Sequence, residues 1–172
     1  HGVASAMRMN VLVESSAEVE LSATGEVTVR TDMTDIGTGT YTILTQIAAD
    51  TLNTSVDNVT VKLGDSRYPA SCGSGGSFGA ASSGSAVKKA CEALIANIKN
   101  SLPPALSQAE LQISNGQIKL VTIAQGDDEV SSPVLLANFM SDSDFPISAT
   151  GNVSEDDTSD DEQYSCGAHF AE

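Results

Sequence analysis

Residues 72–94 read CGSGGSFGAASSGSAVKKACEAL. Apart from Cys72 and Phe78, every residue from Cys72 to Ser85 is Gly, Ser or Ala, and the run empties into an amphipathic helix. Ordering so much bare backbone costs conformational entropy, because Gly loses more freedom than any other residue. A phosphate group, a tight packing contact, or a loop that stays mobile would each account for it. The helix aligns Val87, Cys91, Leu94, Ile95, Ile98 and Leu102 on one face, and Pro103–Pro104 closes it. The spacing predicts a helix near 84–101.

Toward the N-terminus, AEVELSATGEVTVR (17–30) alternates apolar and polar residues on both sides of a Thr24–Gly25 turn. Val19 and Leu21 then face Val27 and Val29 across a β-hairpin, with strands near 17–22 and 26–31. The polar loop TDMTDIGTGT leads into YTILTQIAADTLN, where Ile43, Ile47 and Leu52 stand near helical spacing. That predicts a helix near 41–53, with Thr38 or Thr40 as N-cap. DNVTVKLGD alternates again and gives a strand near 58–63.

Toward the C-terminus, LQISNGQIKLV is strand, Asn115–Gly116 turn and strand, near 110–113 and 117–121. In SSPVLLANFM, Ser132 reads as an N-cap and Pro133 as the first helical position, for a short helix near 132–140. SEDDTSDDE reads as a solvated acidic linker. It lacks the alternating ligands, central Gly and terminal Glu of a calcium loop. QYSCGAHFAE alternates like a strand. Because the chain starts at His1 without Met and stops on that strand, the expectation is a piece of something longer. The element order makes the fold class α+β, helices packed on a mixed sheet.

Composition narrows the partners. A formal charge of −15, from 23 acids against 8 bases, supplies no basic patch for nucleic acid. No apolar run approaches a membrane span, and no signal-peptide pattern is present. Aromatics at 4% leave the core to Val, Ile, Leu and Ala. Cys72, Cys91 and Cys166 form no CxxC pair and read as free thiols, with no metal site indicated.

Two loops are built alike. DIGTGT opens the helix near Tyr41 and SGGSFGAASS opens the helix near Ser85, each placing small residues and hydroxyls before a helix N-terminus. Free N–H groups and the positive dipole end there favour an anion. Caps and packing turns without any ligand are the competing reading. Nucleotide motifs fail: Lys88 lies too far into the helix for a Walker loop, and GDSRYPAS separates Leu63 from Gly73, against a Rossmann turn. His169 is the one histidine away from the N-terminus and no serine sits in a G-x-S-x-G elbow, so no catalytic set assembles.

TDIGTGTYTILTQIAADTL, then VTVKLGDSRYPASCGSGGSFGAASSGSAVKKAC, then YSCGAHFAE resemble the molybdenum-binding large subunit of the xanthine dehydrogenase/aldehyde oxidase family, nearest its bacterial aldehyde-oxidising branch. The likeness covers residues 1 to about 100 and 163–172; the stretch 103–162 is unspecific. The resemblance implies that both loops wrap a molybdopterin cofactor, plain or as the cytosine dinucleotide. Gly37, Thr38, Gly39 and Thr40 would form the first cofactor loop, and Gly75, Gly76, Ser77 and Phe78 the second. If the two hold one pyrophosphate, their N–H groups converge on one concavity. Many family members have Gln where Thr38 stands, and Arg where Phe78 stands, so the carry-over rests on backbone N–H groups.

The resemblance further implies an enzyme that oxidises aldehydes or N-heterocycles with oxygen from water, passing electrons to iron–sulfur and FAD domains or subunits. Its glutamate base would lie beyond Glu172 and its first molybdenum-domain segment before His1, so no catalytic residue and no metal ligand is assigned here. The corresponding organisation is a first lobe of a molybdopterin-binding domain at 1–125, a short helix and acidic linker at 126–162, and the start of the next strand at 163–172. Such a piece is expected to bind the pterin and pyrophosphate side, to be inactive alone, and to partner the remainder of its own subunit. Cytoplasm and periplasm both stay open. The alternatives are an autonomous acidic ligand- or partner-binding domain, or a degenerate scaffold, whose glycine loops are purely structural.

Overall fold

The computed structural model describes residues 1–9, 11–114, 117–121, 133–158 and 164–172. Its centre is a hairpin of β2 (Ser15–Leu21) and β3 (Val27–Thr31), closed at Gly25 with φ 81°. Val19 pairs with Val29 and Leu21 with Val27, the register that the alternation predicts. Ala17, Val19, Leu21, Val27 and Val29 are buried on one face. On the other face Arg30 bridges two carboxylates of the neighbouring strand, reaching Glu18 at 2.6 Å and Glu20 at 3.0 Å.

From β3 the chain passes through helix α1 (Thr40–Thr51) to β4 (Val59–Leu63), which pairs parallel to β3. Leu44, Ala48 and Ala49 are the buried residues of the helix body, with Leu52 buried just past its end, while Ile43 and Ile47 are only partly covered. The hairpin's other edge takes β8 (Ile147–Val153), antiparallel to β2, so the mixed sheet runs β4-β3-β2-β8. The sequence gives no expectation of β8. Ile147, Ala149, Gly151 and Val153 point inward, but Ala and Gly make a faint apolar signal.

Helix α2 (Gly79–Asn100) lies across β2 and β8 and against α1. It begins five residues before the predicted 84. Val87, Cys91, Leu94 and Ile98 are buried as the spacing requires, and Leu102 follows them into the core. Much of the Gly/Ser/Ala run is therefore helix, and its small size is a packing device. A Cβ at Gly151 would strike the backbone of α2 at Ala86, Lys89 and Ala90, so helix and strand touch main chain to main chain there. A Cβ at Gly84 would come within 2.8 Å of the Ile47 Cδ1 methyl of α1.

A second, antiparallel sheet comprises β5 (Glu110–Ser114), β6 (Gln117–Val121) and β7 (Val134–Leu135). Leu111, Ile113, Ile118 and Leu120 join the same hydrophobic core as the helices. The turn at Asn115–Gly116, like Ser132, lies outside the described residues. The expected helix at 132–140 is corrected: Val134 and Leu135 extend the sheet beside β6, and only a 3-10 turn, Leu136–Asn138, follows. Pairing with β6 and full burial of Leu136 outweigh the local Ser-Pro start signal.

The acidic stretch is corrected in part. Asp157, in the 3-10 segment Glu155–Thr158, accepts from Lys89 Nζ of α2 at 2.6 Å and from Ser154 N at 2.8 Å. Residues 159–162 lie outside the described ones. Finally, β1 (Gly2–Met9), also unforeseen, pairs antiparallel with the expected end strand β9 (Tyr164–Ala171) in a ribbon of its own.

Candidate functional site: a cavity between two helix starts

The loop before α1 and the loop before α2 lie side by side. Thr34 Oγ1 stands 3.2 Å from Ser74 Oγ, and the Ser74 hydroxyl donates to the Thr34 carbonyl. Between them opens a cavity of about 360 Å³. Met33, Ile36, Thr38, Thr40, Ile43 and Leu44 line it from the first loop and α1; Ser74, Gly75, Gly76, Ser77, Gly79 and Ala80 line it from the second loop and α2. Of the residues carried over by resemblance, Thr38, Thr40, Gly75, Gly76 and Ser77 line this cavity, whereas Gly37, Gly39 and Phe78 are not among its lining residues.

The first loop has an internal anion. Asp35 Oδ1 accepts from Gly37 N at 2.8 Å and Thr38 N at 3.1 Å, and Oδ2 accepts from Tyr41 N at 3.3 Å. These N–H groups, Gly37's foremost, hold the Asp35 carboxyl below the usual carboxylate range. The expected N-cap at Thr38 or Thr40 is corrected accordingly: Gly39 occupies the cap position in the left-handed region, φ 78°, with no side-chain cap of its own. Thr38 and Thr40 instead share a hydroxyl contact of 3.2 Å at the cavity wall. Sequence reasoning missed Asp35, although an Asp two residues before Gly is an Asx-turn signal.

The second loop is built differently. Gly73, Gly76 and, unusually for a side-chain-bearing residue, Ser77 all take positive φ, at 72°, 49° and 57°. The Phe78 ring folds back over Gly76, and Arg8 of β1 donates to the Gly76 carbonyl. Among the described residues no acceptor takes the N–H of Gly75, Gly76, Ser77, Gly79 or Ala80. Gly79 and Ala80 carry orphan donors of the start of α2, Gly75–Ser77 precede them in the loop, and all five residues line the cavity. Further along the helix, Ser82 and Ser83 are spoken for. Ser82 Oγ accepts from Val13 N at 2.9 Å, and Ser83 Oγ sits 3.0 Å from Ser15 Oγ.

Among the described residues no ionisable side chain lines the cavity, and those that do line it offer hydroxyls, backbone N–H groups and apolar walls. Cys91 is no nucleophile either, since burial pushes its thiol up to about 12. Among the described residues no group of three or more His, Cys, Asp or Glu is placed to hold a metal ion. No described helix is long and apolar enough to cross a membrane.

The family model for the molybdopterin cofactor-binding domain matches residues 1–172 from end to end. The chain belongs to this family. Over 119 residues, 67% of its length, this molybdopterin cofactor-binding domain is 50% identical to the aldehyde oxidoreductase molybdenum-binding subunit PaoC of Escherichia coli K12. It spans 16% of the length of that relative. Its fold is also that of quinoline 2-oxidoreductase from Pseudomonas putida 86, with TM-score 0.67 and 21% identity, over 97% of this chain and 24% of that one. CO dehydrogenase from Oligotropha carboxidovorans matches with TM-score 0.69 and 17% identity, over 97% and 23%.

Proposed function

We propose that this domain grips the pyrophosphate of a molybdopterin cofactor, plain or as the cytosine dinucleotide, at the second loop. The carrying observation is the row of unclaimed N–H groups at Gly75, Gly76, Ser77, Gly79 and Ala80, where α2 begins beside the cavity. Phosphate oxygens suit that row, because several donors and the helix dipole act on one charge. The first loop fits a phosphate poorly, since Asp35 already takes the N–H groups of Gly37, Thr38 and Tyr41 and would repel a second anion. Its contribution is the Thr38 and Thr40 hydroxyls, which suit neutral polar edges of the ligand. Gly37 and Gly39 shape that loop by their positive φ, and the Phe78 ring braces the second loop at Gly76.

The parent protein on this reading is a longer molybdenum hydroxylase subunit that oxidises aldehydes or N-heterocycles, working with iron–sulfur and FAD domains or subunits. The bound cofactor supplies a molybdenum centre for two-electron oxidation. The residues of this chain bind and orient; the acid–base groups belong elsewhere in the subunit, and the chain alone turns over no aldehyde.

Gly75 is the clean place to test the grip. Its φ is ordinary, and a Cβ would meet only the Phe78 ring edge at 3.7 Å. In the full-length subunit Gly75→Asp should lose bound molybdenum and pterin, measured by elemental analysis and pterin fluorescence. The isosteric Gly75→Asn should retain them, because only the charge differs. Equal molybdenum content in both variants would sink the phosphate reading.

A further inference from the structure

The β1–β9 ribbon carries one apolar face that nothing among the described residues covers. Directly opposed residues share a face, and the register places Val3 with Phe170, Ser5 with Ala168 and Met7 with Cys166, Met9 continuing the row. Val3 is 72% exposed, Met7 70%, Met9 62% and Phe170 78%. The opposite face carries Gly2, Ala4, Ala6 and Arg8 against Ala171, His169, Gly167 and Ser165. A two-stranded ribbon standing free in water is marginal, and a contiguous row of large apolar side chains marks an interaction surface.

We propose that the Val3–Met7–Met9–Phe170 face is the seat of an apolar segment of the same polypeptide, contributed by the part of the subunit outside residues 1–172. The domain spans 16% of the length of PaoC, so most of such a subunit lies outside it. A segment on the same chain also reaches the ribbon at high effective concentration. A second copy is disfavoured, because two bodies of charge −15 repel one another.

Cys166 lies on this face and is exposed here, which makes it a native reporter. In the full-length holoenzyme, maleimide should label Cys166 at least about tenfold more slowly than in the urea-unfolded subunit, independent of protein concentration. A benzoylphenylalanine placed at Phe170 should cross-link, on irradiation, to a peptide of the same subunit outside 1–172, identified by mass spectrometry. Labelling of Cys166 at the unfolded rate would overturn the proposal. So would protection that vanishes on dilution, or a cross-link to a second copy or to another subunit. Neither readout depends on cofactor content, so the outcome stands apart from that of the Gly75 test.

Discussion

Asp35 decides how the first loop behaves, and its charge makes that behaviour depend on pH. Its folded-state value is lowered, so it contributes stability that is fully present above the unfolded value of about 3.9 and is lost as pH falls through the folded value. Asp35→Asn should therefore melt at a lower temperature than wild type near neutral pH. The gap should close as the pH drops through the folded value, because protonated Asp and Asn are then equivalent acceptors. A gap independent of pH, read from thermal melts at pH 2 to 7, would refute the role. The sequence shows Gly37 to Thr40 and their helix plainly, but it does not by itself show that Asp35 takes the N–H groups of Gly37, Thr38 and Tyr41. The Asp35-x-Gly37 spacing signals the Asx turn, but the further reach of the carboxylate to Tyr41 N is shown only by the fold.

At the scale of elements, the alternating strands and the apolar stripe of α2 were legible because burial imposes their periods of 2 and 3.6 on the sequence. The first turns of α2 were not. Gly, Ser and Ala carry no stripe, and a helix packed main chain to main chain has no large side chains to display one. The same closeness yields a contrast between two glycines. Gly151→Ala should destabilise by about 1–3 kcal/mol or more, since the new methyl meets immovable helix backbone. Gly84→Ala meets only the flexible tip of Ile47, and the helix gains about 1 kcal/mol of propensity, so its net effect should be near zero or favourable. Urea unfolding of the two variants decides the matter; equal losses would mean that the helix can shift off β8. The misread segment at 132–140 shows the converse limit, a sound local start signal overruled by an open sheet edge.

For the whole molecule, one core unites the mixed sheet, both helices and the second sheet, while the ribbon stands outside it. Stability should be correspondingly uneven. In the 172-residue chain, β1 and β9 amides should exchange with deuterium at least about a hundredfold faster than those of β2 and β3. Comparable protection in both would mean that the ribbon is covered by something within the chain itself. The pairing of β1 with β9 could not be read beforehand, because it joins segments far apart in sequence and local patterning carries no record of such contacts. The neighbourhood of the two loops was legible only through the family resemblance.

The ribbon joins Gly2 directly to Ala171, so the two ends of the domain leave it together and in antiparallel strands. Tension applied between residues 2 and 171 would load the eight pairs one after another, from Gly2–Ala171 toward Met9–Tyr164, instead of all at once. Such a junction opens like a zip at low force. A pull transmitted through the parent chain, whether from a translocating machine or an unfoldase, would be spent on parting the strands of the ribbon before it reached the buried hairpin or the loops beside the cavity.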